Sequence, residues 1–234
     1  MQKIPLVCVP FAGAGASFFH PWAELAGPDR PIVALQLPGR EWRLLDEPYA
    51  DVVAAAADLA LTVADEVGAG GRVALFGHSL GAVLAYEIAH ALVRDGEVGV
   101  ERLFVSGSPD PWTPRTNRAS GLDDEEFLLR VREFAGYDHE ALADPDMREL
   151  ILPALRADVE MHESYVAGSA DPLPAPVTAL HARDDALVSA EQTAGWSKAT
   201  SGPFQLVEVD GGHMYLTEDP AGLLRLIAAD LDRD

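Results

Sequence analysis

Val73-Ala74-Leu75-Phe76-Gly77-His78-Ser79-Leu80-Gly81 runs from an apolar stretch into a serine flanked two residues away on each side by glycine. A helical pattern follows from Ala82 to about Asp95. Strand, tight turn and helix in that order put a hydroxyl at the tip of a sharp elbow. Such a turn is crowded two residues to either side of its apex, and glycine has no Cβ to clash there. The helix then points its free N–H groups and the positive end of its dipole at the place where negative charge would develop. Ser79 is therefore the candidate nucleophile, and the flanking segments fix the surrounding fold as layered α/β.

Six short β-rich runs alternate with helical stretches, as a mostly parallel sheet covered by helices on both faces requires. The expected strands are Ile4–Val9, Ile32–Leu37, Val73–Phe76, Leu103–Ser106, Val177–His181 and Leu206–Val209. Their near-continuous hydrophobicity suits strands buried on both sides. Helices are expected over Phe18–Leu25, Tyr49–Glu66, Ala82–Asp95, Ala190–Ala199 and Pro220–Asp230. One interval breaks the rhythm. Between Ser106 and Val177 lie roughly seventy residues with no strand pattern, far more than a crossover needs. Helical patterns at Asp123–Phe134 and Asp146–Val166 fill it, so an inserted helical lid at about 109–175 is expected over the strand ends. Extra helices packed on the sheet with no role at the site are the alternative.

The chain has 234 residues, 48% of them apolar and 24% charged, which fits one globular domain with a sizeable core. No apolar run approaches a membrane span, and the polar start Met1-Gln2-Lys3 has no signal-peptide design, so a cytoplasmic location is expected. The single cysteine, Cys8, sits in an apolar strand and reads as a buried, inert thiol. A net charge of −21 argues against nucleic acid and anionic membranes, and obliges any acidic partner to dock on a local patch.

A serine nucleophile needs a general base and a group that fixes the base's tautomer. In the order serine, acid, histidine, only His213 of the seven histidines follows both the elbow and a credible acid. It stands in Asp210-Gly211-Gly212-His213, directly after a strand. His78 neighbours the serine but points away from it on a sharp turn. The acid belongs at the end of Val177–His181, where Asp184 and Asp185 both stand. Asp185 is favoured because Asp185-Ala186-Leu187-Val188-Ser189 reads as a turn followed by a helix start. The oxyanion donors expected are the backbone N–H groups of Leu80, after the nucleophile, and of Ala12, in the small-residue loop Pro10-Phe11-Ala12-Gly13-Ala14-Gly15-Ala16. Gly13 and Gly15 also begin a dinucleotide fingerprint, but Phe18 stands where its third glycine belongs. No Cys/His cluster has metal-ligand spacing, and the chemistry calls for no cofactor.

These segments resemble the type II thioesterases that accompany polyketide and nonribosomal peptide synthases. The resemblance rests on Pro10-Phe11-Ala12-Gly13-Ala14-Gly15, Leu37-Pro38-Gly39-Arg40-Glu41, Gly77-His78-Ser79-Leu80-Gly81, Leu152-Pro153-Ala154-Leu155-Arg156-Ala157-Asp158, Ala182-Arg183-Asp184-Asp185 and Gly211-Gly212-His213, in the family's order. It departs where the family more often has methionine at Leu80, an aromatic residue at Met214, glycine near Ala182 and proline at Ala186. The resemblance implies the α/β-hydrolase fold and hydrolysis of acyl groups from the phosphopantetheine arm of an acyl or peptidyl carrier protein. It implies for Arg40 a structural or entrance role, with contact to a phosphate as an alternative for an exposed arginine. Phe18, Phe19, Arg40, Trp112, Phe127, Phe134 and Met214 are the expected lining of the acyl and pantetheine channel. The rival readings are a carboxylesterase or lipase, an acyltransferase of the same fold, and a non-catalytic binding member. A monomer is the expected state.

Overall fold

The computed structural model describes residues 3–28, 30–116, 118–135 and 144–233, apart from the side chains of Phe134 and Ala135. Six parallel strands, β1 (Leu6–Val9), β2 (Ile32–Ala34), β3 (Arg72–His78), β4 (Gly99–Ser106), β5 (Val177–Ala182) and β6 (Phe204–Val209), form one sheet in the order β2-β1-β3-β4-β5-β6. All six stand where the hydrophobic runs put them. The second is shorter than expected, its ladder closing after Leu35 N–H donates to the Cys8 carbonyl at 3.0 Å.

The chain goes from β1 outward to the edge strand β2, then crosses back to β3 and proceeds the other way. The order therefore reverses between β1 and β3. In open α/β sheets the carboxyl ends of the strands at such a switch point diverge to leave a crevice. The small-residue loop after β1 and the elbow after β3 meet there.

The helices are α1 (His20–Ala26), α2 (Val52–Val67), α3 (Leu80–Asp95), α4 (Asp124–Ala135), α5 (Pro145–Glu163), α6 (Ala190–Ala194), α7 (Tyr215–Glu218) and α8 (Pro220–Leu231). Side chains alternate across the sheet, which splits the core in two. Val7, Val9, Val73, Leu75, Leu103 and Val105 pack with α2 and α3. Leu6, Cys8, Phe76 and Phe104 face the other way, against Phe19, Trp22 and the apolar stripe Leu223, Leu224 and Ile227 of α8. Cys8 is wholly buried and burial raises its thiol pKa, in keeping with an inert side chain. Asp51, Asp144, Ser189 and Asp219 cap α2, α5, α6 and α8 with their side chains.

The long interval holds α4 and α5. These helices build a small core of their own from Phe127, Leu128, Leu152, Leu155 and Val159, with Ala12 of the β1 loop packed against it. At the far end of α5 the Glu163 carboxylate accepts from the Ala119 and Ser120 N–H groups at 2.5 and 3.0 Å. Tyr165 O–H and Gly168 N–H donate to Glu87 of α3 at 2.6 and 2.9 Å, tying the insertion back to the central helix. No described helix is long and apolar enough to cross a membrane.

Candidate active site

Ser79 occupies the turn between β3 and α3 with φ 55° and ψ −118°, one of two described non-glycine residues with positive φ. The flanking glycines leave no alternative. A Cβ on Gly77 would lie 1.9 Å from the Gly81 carbonyl oxygen, and one on Gly81 would lie 2.4 Å from that of Val9. Backbone strain of this kind costs about 1–3 kcal/mol and persists only where the surroundings over-determine it. Ser79 N–H donates to the Ser106 carbonyl at 2.8 Å, which pins the elbow to β4. As the N-cap of α3 its hydroxyl makes no capping bond, which leaves the oxygen free for chemistry.

His213 Nδ1 lies 2.9 Å from Asp185 Oδ2, while Asp185 Oδ1 accepts from the N–H groups of Leu187 and Val188 at 2.8 and 3.1 Å. The turn after β5 thus aims the carboxylate and the loop after β6 delivers the imidazole to it. Burial works to raise the Asp185 pKa. The bond and charge of His213 and the two N–H donors outweigh that, and the net shift is downward. With Nδ1–H held by an ionised carboxylate, Nε2 of a neutral ring is left to accept a proton. Asp184 has no part in this: its side chain is exposed, and its N–H donates to the Gly211 carbonyl.

Beneath His213 lies a polar chain that sequence reasoning did not find. His78 Nδ1 is 3.0 Å from Ser106 Oγ, which is 2.9 Å from Tyr215 O–H, and the His78 ring centre lies 4.8 Å from that of His213 with the planes tilted by 55°. Burial holds His78 neutral, its pKa well below the ordinary 6.5, and repulsion from His213 adds to the effect. Gly107, at φ 57°, passes so close that a Cβ would meet the His78 ring at 2.3 Å.

The candidate oxyanion donors come from two elements. Leu80 is the first residue of α3, where an N–H has no intrahelical acceptor. Ala12 lies in the loop after β1, and no described group accepts from its N–H. That loop is held by a network reaching from the lid. Arg40 Nη1 and Nη2 clasp Asp158 Oδ2 and Oδ1 of α5 at 2.5 and 2.8 Å, and Asp158 Oδ2 also accepts from Gly13 N–H at 2.8 Å. Arg40 Nη1 donates as well to the Ala14 carbonyl at 3.1 Å. Next to it, Glu41 sits at φ 50° and accepts from Ser17 N–H and Oγ–H. The Glu41 carboxylate packs directly against Gly15, where a Cβ would meet it at 2.1 Å and displace it from Ser17. The signal for Asp158 was available: an aspartate at helical spacing among Leu152, Leu155 and Val159 must find a buried partner.

Ser79, His213, Ala12 and Gly13 line one cavity of about 630 Å³ between sheet and lid. Of the expected channel residues, Phe18, Arg40 and Met214 are on its wall. Three are not. Phe19 follows Phe18 in a single 3-10 turn and points into the sheet core against Trp22. Phe127 is consumed by the lid core under the Arg156 guanidinium, 4.2 Å from its ring. Trp112 lies off the wall, 38% exposed and edge-on to Tyr86. The Phe134 side chain lies outside the described residues. Arg40 is no exposed phosphate ligand either, because its guanidinium is buried and spent on Asp158.

A serine on a strained strand-to-helix elbow, at the switch point of a parallel sheet roofed by inserted helices, defines an α/β-hydrolase. A family model for the thioesterase domain matches residues 4–231, and the chain belongs to that family, among its type II thioesterases. Thioesterase PikA5 of Streptomyces venezuelae is 37% identical over 217 residues, covering 93% of this chain and 77% of that protein. The RedJ thioesterase from the prodiginine pathway of Streptomyces coelicolor superposes with a TM-score of 0.87 at 34% identity, over 99% of this chain and 85% of that one. The type II thioesterase BorB from the borrelidin cluster gives 0.86 at 35% identity, over 99% and 94%.

Proposed function

We propose that this chain deacylates carrier proteins of a polyketide or nonribosomal peptide synthase, releasing aberrant acyl groups from the phosphopantetheine thiol. Ser79 Oγ attacks the thioester carbonyl while its proton passes to His213 Nε2. Asp185 keeps the ring in the right tautomer and stabilises the imidazolium. The N–H groups of Leu80 and Ala12 receive the oxyanion, each worth about 3–4 kcal/mol in sites of this kind. The C–S bond breaks, and the thiolate leaves with the proton from His213. Water then attacks the acyl-Ser79 ester, giving up a proton to His213, and the free acid departs.

The observation that carries this reading is the Asp185-held imidazole sharing one cavity with a strained, uncapped Ser79 hydroxyl. The named pathways of RedJ and BorB support a carrier-bound substrate. The chain acts here as a cytoplasmic monomer that docks a carrier on a local patch, against its net charge of −21. The test is hydrolysis of propionyl-phosphopantetheinyl carrier protein by the wild type and by Ser79→Ala, with mass detection on the carrier. Loss of the acyl group with the wild type alone supports the reading. A carrier that stays loaded while a small oxygen ester is cleaved through Ser79 refutes it.

A further inference from the structure

Arg115 follows Pro114 in the segment between β4 and α4, and it lines the cavity. Its guanidinium is half-buried on the cavity wall. Nη2 donates to Ser108 Oγ at 2.7 Å, and the group lies over the Tyr165 ring at 5.9 Å. Among the described residues no carboxylate comes within ion-pair distance. Asp110, which shares the segment, has its oxygens engaged by Trp112 N–H and Thr113 Oγ–H. Burial lowers the Arg115 pKa to about 10, which still leaves the group charged at neutral pH.

The other charged groups on the wall are held by ion pairs or hydrogen bonds of their own. Arg40 is paired with Asp158, and Arg132 has a partner of its own. The Glu163 carboxylate faces the Ala119 and Ser120 N–H groups, and Glu41 faces Ser17. His162, on the same wall, has a buried Nε2 with no partner among the described residues. It stays neutral, its pKa held well below 6.5 by burial and then by the charge of Arg115. A guanidinium with no carboxylate in ion-pair reach and a neutral imidazole therefore line a largely apolar cavity. A guanidinium fork is shaped for a pair of acceptor oxygens, and it bonds them most strongly where water is scarce.

We propose that Arg115 and His162 form a polar subsite within the acyl cavity, which receives an oxygen acceptor carried by the acyl chain, a carboxylate or a ketone. The inference rests on the thioesterase reading and names the substrate class within it. Acyl groups bearing such an oxygen are hydrolysed in preference to alkyl groups of the same shape. A site built to bond a substrate oxygen discriminates strongly against the analogue that lacks it, because its own donors are then left unpaired.

The test loads a carrier protein with acyl groups matched in heavy-atom skeleton. Malonyl and acetoacetyl are compared with isovaleryl, and succinyl with isocaproyl. The wild type should show a kcat/KM higher by about 10- to 100-fold for at least one oxygenated member over its alkyl partner. Arg115→Met should bring that ratio to near unity, and Arg115→Lys should restore part of it. Preference for acetoacetyl alone identifies a ketone, and preference for the two carboxyacyl groups identifies a carboxylate. Equal hydrolysis within every matched pair by the wild type overturns the subsite and leaves the thioesterase reading standing. So does a preference that Arg115→Met leaves intact. If no loaded carrier is deacylated at all, the thioesterase reading itself fails.

Discussion

Removing Arg40 while keeping its bulk, as in Arg40→Met, strands the Asp158 carboxylate in a site where its side chain is only 3% exposed. The Gly13 N–H alone cannot replace two guanidinium bonds at 2.5 and 2.8 Å. Burial already pushes the Asp158 pKa upward against the opposing pull of Arg40 and Gly13, so the desolvation is large. Breaking one side of such a pair costs about 3–5 kcal/mol. In a domain of this size that lowers Tm by about 6–20 °C. Replacing both partners, as in Arg40→Met with Asp158→Leu, removes the uncompensated charge and should recover most of the stability. Turnover should not recover with it. Gly13 N–H has then lost its acceptor and the Ala14 carbonyl its donor, so the adjacent Ala12 N–H is no longer fixed against the oxyanion. The full loss of one oxyanion donor is about 10²–10³-fold in kcat, and a loosened one should cost about 10- to 100-fold. Urea unfolding and single-turnover hydrolysis of an acyl-carrier thioester read the two quantities separately. If the double variant regains both stability and wild-type kcat, the network only holds the fold together and the positioning argument is refuted.

Asp185→Asn should lower kcat by about 10⁴-fold by inverting the tautomer of His213, whereas Asp184→Asn should change it less than about twofold; steady-state hydrolysis with both variants checks the assignment. Ser79→Gly should abolish turnover yet raise stability by about 1 kcal/mol or more, since glycine takes up φ 55° without strain. Ser79→Ala, which keeps a Cβ, should give no such gain in urea unfolding. His78 and His162 are held neutral in the folded state, so only the unfolded chain gains their protons as pH falls below the ordinary 6.5. Stability from these groups is therefore complete above that value and is lost on acidification, by up to about 1.4 kcal/mol per pH unit for each ring. Urea midpoints measured from about pH 7.5 down to about pH 5.5 should show the slope, and His162→Gln should flatten it. An unchanged slope in that variant would mean that His162 already titrates normally in the folded protein.

Most of the scaffold was legible because burial on both faces imposes a pattern that needs no tertiary knowledge. β1, β3 and β5 at the centre read as near-continuous apolar runs for that reason, while the edge strand β6 kept only a partial signal because its exposed positions carry Leu206 and Glu208. The elbow was legible because two backbone clashes admit only glycine at positions 77 and 81. Chain order then narrowed the histidine and the carboxylate, and the turn after Asp185 separated it from Asp184. The cavity wall was harder. Adjacent Phe18 and Phe19 look alike in sequence, yet one short turn sends the first to the cavity and the second to the sheet core. Phe127 was misplaced because nothing local reveals that α4 and α5 bury a core of their own, and Trp112 because its ring partner Tyr86 lies in the distant helix α3. Arg40 and Asp158 stand well over a hundred residues apart, a pairing that spacing cannot disclose. Arg115 and His162 were invisible for the same reason, being brought together only where the lid folds back over the strand ends.

Because every strand runs the same way, all the chemistry sits at the carboxyl edge of the sheet, and the opposite edge carries none of it. The turn at 68–71 between α2 and β3 and the one at Gly96 between α3 and β4 lie on that opposite edge. Gly68, Gly70 and Gly96 adopt positive φ there with open space where a side chain would go. Exposed turns of small residues accept inserted sequence readily. A fluorophore-bearing peptide, an affinity tag or a tether to a synthase module can therefore be spliced in at these turns without altering the geometry that handles the acyl group.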